Sequence, residues 1–121
     1  MIVEIEGYAD HVRTTLTAFN AGAGCSAAGL GRAAYESALR YTRERVQGGR
    51  PIFEHQSVRS RLFRMYSLVQ ASRTLACQVH LRVATLLQLG EVAPLQDSIA
   101  SKVFCSRAAL EIATLGVQLH G

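Results

Sequence analysis

The apolar positions of this chain fall into three stretches of helical period. The clearest runs from about residue 55 to 89, where Val58, Leu62, Met65, Val69, Ser72, Ala76, Val79, Val83 and Leu86 recur at alternating spacings of four and three. A seam sustained over so many turns predicts one long helix with one buried face. Gly90 stands where a helix C′ residue belongs, Pro94 punctuates the connection, and Asp97 or Ser98 is placed to cap the next helix. That helix, 97–119, repeats the spacing through Ile99, Val103, Ser106, Leu110, Ala113 and Val117.

The first stretch, 10–47, carries Leu16, Phe19, Ala23, Ala27, Leu30, Ala34, Ala38 and Tyr41 in the same rhythm, straight through Gly22, Gly24, Gly29 and Gly31. Each glycine weakens a helix interior by about 1 kcal/mol relative to alanine, so a break is possible there. The unbroken spacing nevertheless predicts one helix, with a Glu36–Arg40 pair on its surface and small residues that let another backbone approach closely. Gly48, Gly49 and Pro51 end it. Short links make successive helices antiparallel, which gives an all-α antiparallel bundle of three long helices in one domain, 1–121. Three such stripes want a fourth element, so a homo-oligomer or a partner chain is expected to complete the bundle.

Composition supports this reading. The chain is 49% hydrophobic and 18% charged with only two prolines, which excludes disorder and a sandwich of many short strands. The charge changes the picture more. Of the 13 basic residues twelve are arginine, and between Arg32 and Arg64 eight arginines face only Glu36, Glu44 and Glu54, a local net of +5. Such a patch needs counter-anions: phosphates, or the carboxylates of another chain. A basic module for nucleic acid is the weaker alternative, because aromatic interleaving and a recognition-helix motif are both missing.

Cys25, Cys77 and Cys105 lie far apart without CxxC spacing and read as reduced core thiols. The amino terminus MIVEIEGYAD carries acids where a secretory signal carries bases, and no apolar run approaches the ~18 residues of a membrane span; the expectation is cytoplasmic, with no membrane contact. Ser57, Ser60, Ser67 and Ser72 have no nucleophile elbow around them, and the spacing of His11, His55, His80 and His120 supports no metal site. Glu111 reads as a surface acid of its helix.

The informative segment is RERVQGGRPIFEHQSVR, 43–59. Arg45 and Arg50 flank a helix end closed by paired glycines, and the next helix opens near Gln56. Open amides at a helix start, together with guanidinium forks, can hold a pyrophosphate; the plain alternative is a hairpin turn with solvated arginines.

The order Y-x-x-x-R, two-residue spacer, Gly, basic residue, Pro, Gln at a helix start and a last helix ending in Q-x-x-G resembles the carboxy-terminal domain of the acyl-CoA dehydrogenase family. The elements read GLGRAAYESALRYTRERVQGGRPIFEHQSVRSRLFRMYSLVQASR and SIASKVFCSRAALEIATLGVQLHG, and the resemblance covers about 13–121. It implies a helical bundle that packs against its copies and helps bind FAD across a subunit interface. Arg45 matches the family arginine at the flavin pyrophosphate. Gln56 matches the glutamine beside the same cofactor, and Gln118 and Gly121 match the start of a Q-x-x-G-G segment against the adenosine half.

The departures are Gly48, where the family usually has an aromatic residue, and Ala23 in AFNAGA, where many members carry arginine. No residue matches the family's catalytic glutamate. The resemblance therefore implies part of an FAD-dependent acyl-CoA dehydrogenase, oxidase or flavin hydroxylase, inactive alone and meeting acyl-CoA only in the complete complex. The alternative is a bundle that kept the fold and lost the flavin, serving as an assembly module.

Overall fold

A computed structural model describes residues 7–121; the acidic start of the chain, with Glu4 and Glu6, lies outside the described residues. The elements run α1 (Tyr8–Glu44), β1 (Val46–Gln47), β2 (Arg50–Pro51), a 3-10 turn (Ile52–Glu54), α2 (Gln56–Gln88) and α3 (Leu95–His120). The protein is an all-α bundle in which α2 runs antiparallel to α1 and α3. Tyr35 packs against Tyr66 with ring centroids 6.0 Å apart, and the Cys25 thiol lies 3.7 Å from the Ala76 carbonyl, which fixes α1 against α2. Gly24 abuts Ser101, Gly31 abuts Ala109, and Gly116 lies near Ala38, so α1 and α3 run side by side in the same direction.

α1 is continuous through its glycines, but it stops at Glu44 because the chain turns into a hairpin that the periodicity did not predict. Val46 pairs with Pro51 and Gln47 with Arg50, around Gly48 at φ 67° and Gly49 at φ 81°. Two successive left-handed residues make the hairpin turn that matches strand twist, and glycine adopts it without strain. On the helix surface Glu36 pairs with Arg32, at 2.7 Å, rather than with Arg40.

α2 ends in a Schellman motif: Gly90, at φ 71°, donates to Leu87 O at 3.1 Å, and Glu91 N donates to Leu86 O at 2.9 Å. α3 starts directly after Pro94, ahead of the expected caps. Asp97 is inside the first turn and pairs with Arg82 at 2.8 Å, while the buried Ser98 hydroxyl donates back to Leu95 O.

The α2 seam is buried as its spacing predicts, from Leu62 to Val83. On α3 the buried face differs from the expected one, and on α1 only Ala27 and Ala38 of the expected seam are buried. α1 buries Thr17, Ala21, Gly24, Ala27, Gly31, Ala38 and Thr42, and α3 buries Ser98, Ser101, Cys105, Ala108, Ile112, Gly116 and Leu119. The larger residues Leu16, Phe19 and Leu30 of α1 and Ile99, Val103, Leu110 and Val117 of α3 are exposed. Close approach, not side-chain volume, holds α1 against α3. Leu62, Met65, Val69, Ala38, Ile112 and Leu119 form a core cluster toward the hairpin end.

The thiols also depart from expectation: Cys105 is buried and Cys25 half-buried, but Cys77 is exposed. Burial raises the pKa of both Cys25 and Cys105; neighbouring thiols add to the rise at Cys25, and nearby Ser101 and Ser72 hydroxyls partly offset it at Cys105. Thiolate is the reactive form. Titration of the native protein with a thiol reagent near pH 8 is expected to modify Cys77 first, Cys25 more slowly, and Cys105 only on unfolding. Uniform labelling of all three in the folded state would contradict this packing.

Candidate functional site

The hairpin, the start of α2 and the end of α3 meet at one end of the bundle. Arg45 anchors the junction through its backbone: its N–H donates to Tyr41 O at 2.9 Å, and its carbonyl accepts from Ile52 N at 2.8 Å. These two bonds close α1 onto the 3-10 turn, leaving the Arg45 guanidinium on an exposed residue at the rim. Tyr41 stacks on His120 at 4.2 Å between centroids and directs its hydroxyl to the His120 carbonyl at 3.3 Å, tying the end of α3 to the same junction.

His55 is the N-cap residue of α2, and its imidazole bridges the hairpin. Nδ1 lies 3.4 Å from the Arg50 guanidinium, and Nε2 lies 3.3 Å from the Gln47 carbonyl. A guanidinium can only donate, so this arrangement suits an imidazole that accepts at Nδ1 and donates its proton from Nε2. A shallow concavity of about 440 Å³ opens beside it, lined among others by Gln47, Gly48, His55, Arg61, Gln118 and Gly121. At Gly48 an added side-chain carbon would meet nothing within 4 Å, so the backbone there is open to an approaching group.

Of the four residues singled out in the sequence, Gln118 and Gly121 line this concavity. Arg45 stands at the hairpin base and lines neither cavity of this end. Gln56 faces another way. It lines a larger groove of about 910 Å³ between α1 and α2, with Arg43, Phe53, Arg59 and Tyr66 among its walls. Sequence reasoning missed His55 and Arg61. The signal for His55 was present: continuing the Val58, Leu62, Met65 seam one turn back lands on residue 55, not 56.

Chemically, the concavity offers an amide, an imidazole, a guanidinium and open backbone, a donor set suited to phosphate oxygens and polar ring edges. Among the described residues, no group of three or more His, Cys, Asp or Glu side chains is placed to hold a metal ion, and no helix is long and apolar enough to cross a membrane. Glu111 is occupied on the bundle surface, where Arg64 donates to its carboxylate at 2.5 Å.

Residues 9–121 match the sequence model of the acyl-CoA dehydrogenase C-terminal domain. The chain belongs to the acyl-CoA dehydrogenase family. Among curated proteins it is similar to the 3-methylmercaptopropionyl-CoA dehydrogenase of Ruegeria pomeroyi, 33% identical over 118 residues, which covers 81% of this chain and 19% of that protein. The 3-(aryl)acrylate reductase of Clostridium sporogenes is 30% identical over 107 residues, covering 88% of this chain and 27% of its own length. A probable acyl-CoA dehydrogenase of Mycobacterium tuberculosis is 34% identical over 112 residues, 93% of this chain and 26% of that protein. The chain thus spans about a quarter or less of the length of these curated relatives.

Proposed function

We propose that this chain is the part of an FAD-dependent acyl-CoA dehydrogenase-like oxidoreductase that grips the phosphate and adenosine portion of a flavin shared with another subunit or chain. The observation that carries this is the hairpin end of the bundle: Arg61, from a segment of net charge +5 between Arg32 and Arg64, lines a concavity together with Gln118, Gly121 and His55. In this reading Arg45 reaches the pyrophosphate from the rim. Gln118 and Gly121 meet the adenosine side, Gln56 sits beside the cofactor's other edge, and His55 holds the hairpin in shape. The flavin, when bound, supplies hydride acceptance. Removal of the substrate's α-proton needs a carboxylate base, for which no residue of this chain is matched, so acyl-CoA is met only in a complete complex.

The test is Arg45→Ala in the assembled enzyme. Loss of one charge-assisted contact to phosphate is worth about 1.5–3 kcal/mol, so flavin affinity is expected to fall at least about tenfold, read from flavin retained after gel filtration and from fluorescence titration. Unchanged flavin content would favour the second reading, a flavin-free assembly module, for which the missing aromatic at Gly48 is the motive. The isolated chain is expected not to reduce an electron acceptor with acyl-CoA; turnover by this polypeptide alone would overturn the proposal.

A further inference from the structure

The three cysteines are far apart in the sequence, yet the fold gathers them at one level of the bundle, one from each helix. Cys25 of α1 directs its thiol to the Ala76 carbonyl of α2 at 3.7 Å, and Cys105 of α3 directs its own to the Ser72 carbonyl, one turn away, at 3.5 Å. Ala27, Ala76 and Cys105 form a buried cluster there, with Cys25 and Ala28 packed against it. Cys77 follows Ala76 directly. Among the described residues the three thiols are not placed to share a metal ion, which leaves thiol–disulfide chemistry as what such a gathering can do.

Two of the three face each other across the α1/α2 groove. Tyr35 of α1 meets Tyr66 of α2. Cys25 lies ten residues before Tyr35 and Cys77 eleven after Tyr66, about 15 and 16 Å along antiparallel helices, so both stand at the same height. Eleven residues turn a helix only about 20° beyond three full turns, which puts Cys77 on nearly the same edge of α2 as Tyr66, the edge toward α1. The opposite edge carries Arg64 and Arg82, which pair with α3. Alanines pack at this height, so no bulky group holds α1 and α2 apart. Cysteines on facing edges of such helices need only a small relative shift to bring their β-carbons to the ~4 Å of a disulfide.

Access divides the pair into two roles. Cys77 is exposed and lines a shallow recess of about 580 Å³ with Gln70, Arg73, Thr74, Gln78 and Leu81. A guanidinium, two amides and a hydroxyl beside a thiol suit a small anionic molecule with amide groups. Cys25 is half-buried; burial raises its pKa most, and the charges of Cys77 and Cys105 add to the rise, which marks how close the three are.

We propose that Cys77 and Cys25 are a redox-active pair: Cys77 is the entry thiol for a low-molecular-weight disulfide of anionic, peptide-like type, and Cys25 resolves the adduct into a disulfide joining α1 to α2. In the first step the Cys77 thiolate attacks one sulfur of the small disulfide, whose S–S bond breaks, and one small thiol leaves, taking up a proton. In the second the Cys25 thiolate attacks Cys77 Sγ, and the other small thiol leaves in the same way. Two protein thiols lose two electrons, and one small disulfide is reduced to two thiols. Cys105, buried, takes no part. The bond closes a covalent loop, 25–77, that contains the hairpin. It is independent of the flavin reading, since Cys25 stands nineteen residues, about 30 Å, before the end of α1.

The test is incubation of the reduced, folded chain with glutathione disulfide, followed by intact mass and peptide mapping. A brief adduct on Cys77 should give way to a species two hydrogens lighter than the reduced chain, with Cys25 linked to Cys77. In Cys25→Ser the adduct should persist, decaying at least about tenfold more slowly than in wild type, because the internal thiol acts at an effective concentration of millimolar or more. Cys77→Ser should slow loss of the first thiol at least about tenfold, and Cys105→Ala should leave the link in place, with helical circular dichroism unchanged in each. A lasting adduct on wild-type Cys77, a link to Cys105, crosslinks only between two copies, or no reaction in the folded chain overturns the proposal.

Discussion

Met65→Ala is expected to lower stability by about 3 kcal/mol, within the roughly 2–5 kcal/mol range for buried Met-to-Ala changes. Met65 is the largest of the fully buried side chains, and it sits in the cluster with Leu62, Val69, Ile112 and Leu119. Its methyl group lies just under Gly116, at 3.8 Å from where a side-chain carbon would stand, with Ala38 alongside. Glycine and alanine cannot swing into the space left behind, so the cavity persists and the cavity term is added to the lost transfer energy. Leu119 and Ile52, which line the concavity at the hairpin end, would lose support as well. Urea titration of wild type, Met65→Ala and Met65→Leu checks this. The leucine variant, similar in volume, should stay within about 1.5 kcal/mol of wild type, and a loss below about 1 kcal/mol for the alanine variant would mean that the site collapses freely.

The contrast between α2 and its neighbours explains how much of the fold was legible. α2 buries branched aliphatics against two helices at once, so its hydrophobic spacing and its buried spacing coincide. α1 and α3 pack on each other through glycine, serine and alanine, residues that carry little hydrophobic signal. The strongest period of α3 therefore traced the outer face, and that of α1 mixed buried Ala27 and Ala38 with exposed Leu16, Phe19 and Leu30. Gly24 and Gly31 suggested close backbone approach in the sequence, and the structure places α3 at both. The paired glycines of the hairpin were read only as a helix stop, because strands of two residues leave no periodicity to detect. At the candidate site, Gln118 and Gly121, singled out from the motif, line one concavity together with His55, whereas Gln56, singled out beside it, lines the neighbouring groove. A single position on a helix start rotates a side chain by about 100°, enough to move it from one cavity to the next.

Substituting leucine at two glycines two positions apart in α1 is expected to move stability in opposite directions. At Gly29 an added side-chain carbon meets nothing within 4 Å, so Gly29→Leu should stabilise by up to about 1 kcal/mol through helix propensity and reduced freedom of the unfolded chain. At Gly31 the same carbon would stand 3.1 Å from the Ile112 side chain and 3.4 Å from the Ala109 Cα. The isoleucine tip can yield by a few tenths of an ångström, but the backbone at Ala109 cannot move without α3 moving with it. A leucine extends three heavy atoms beyond that carbon into a contact already closed, so the overpacking penalty, about 1–3 kcal/mol and occasionally more, falls at its upper end. Propensity recovers at most about 1 kcal/mol of that. Gly31→Leu should therefore lose at least about 2 kcal/mol, a fall in melting temperature on the order of 10 °C, while Gly29→Leu melts at or above wild type. If both substitutions raised the melting temperature, α1 and α3 would not be held by backbone approach, and the small-residue seam would lose its meaning.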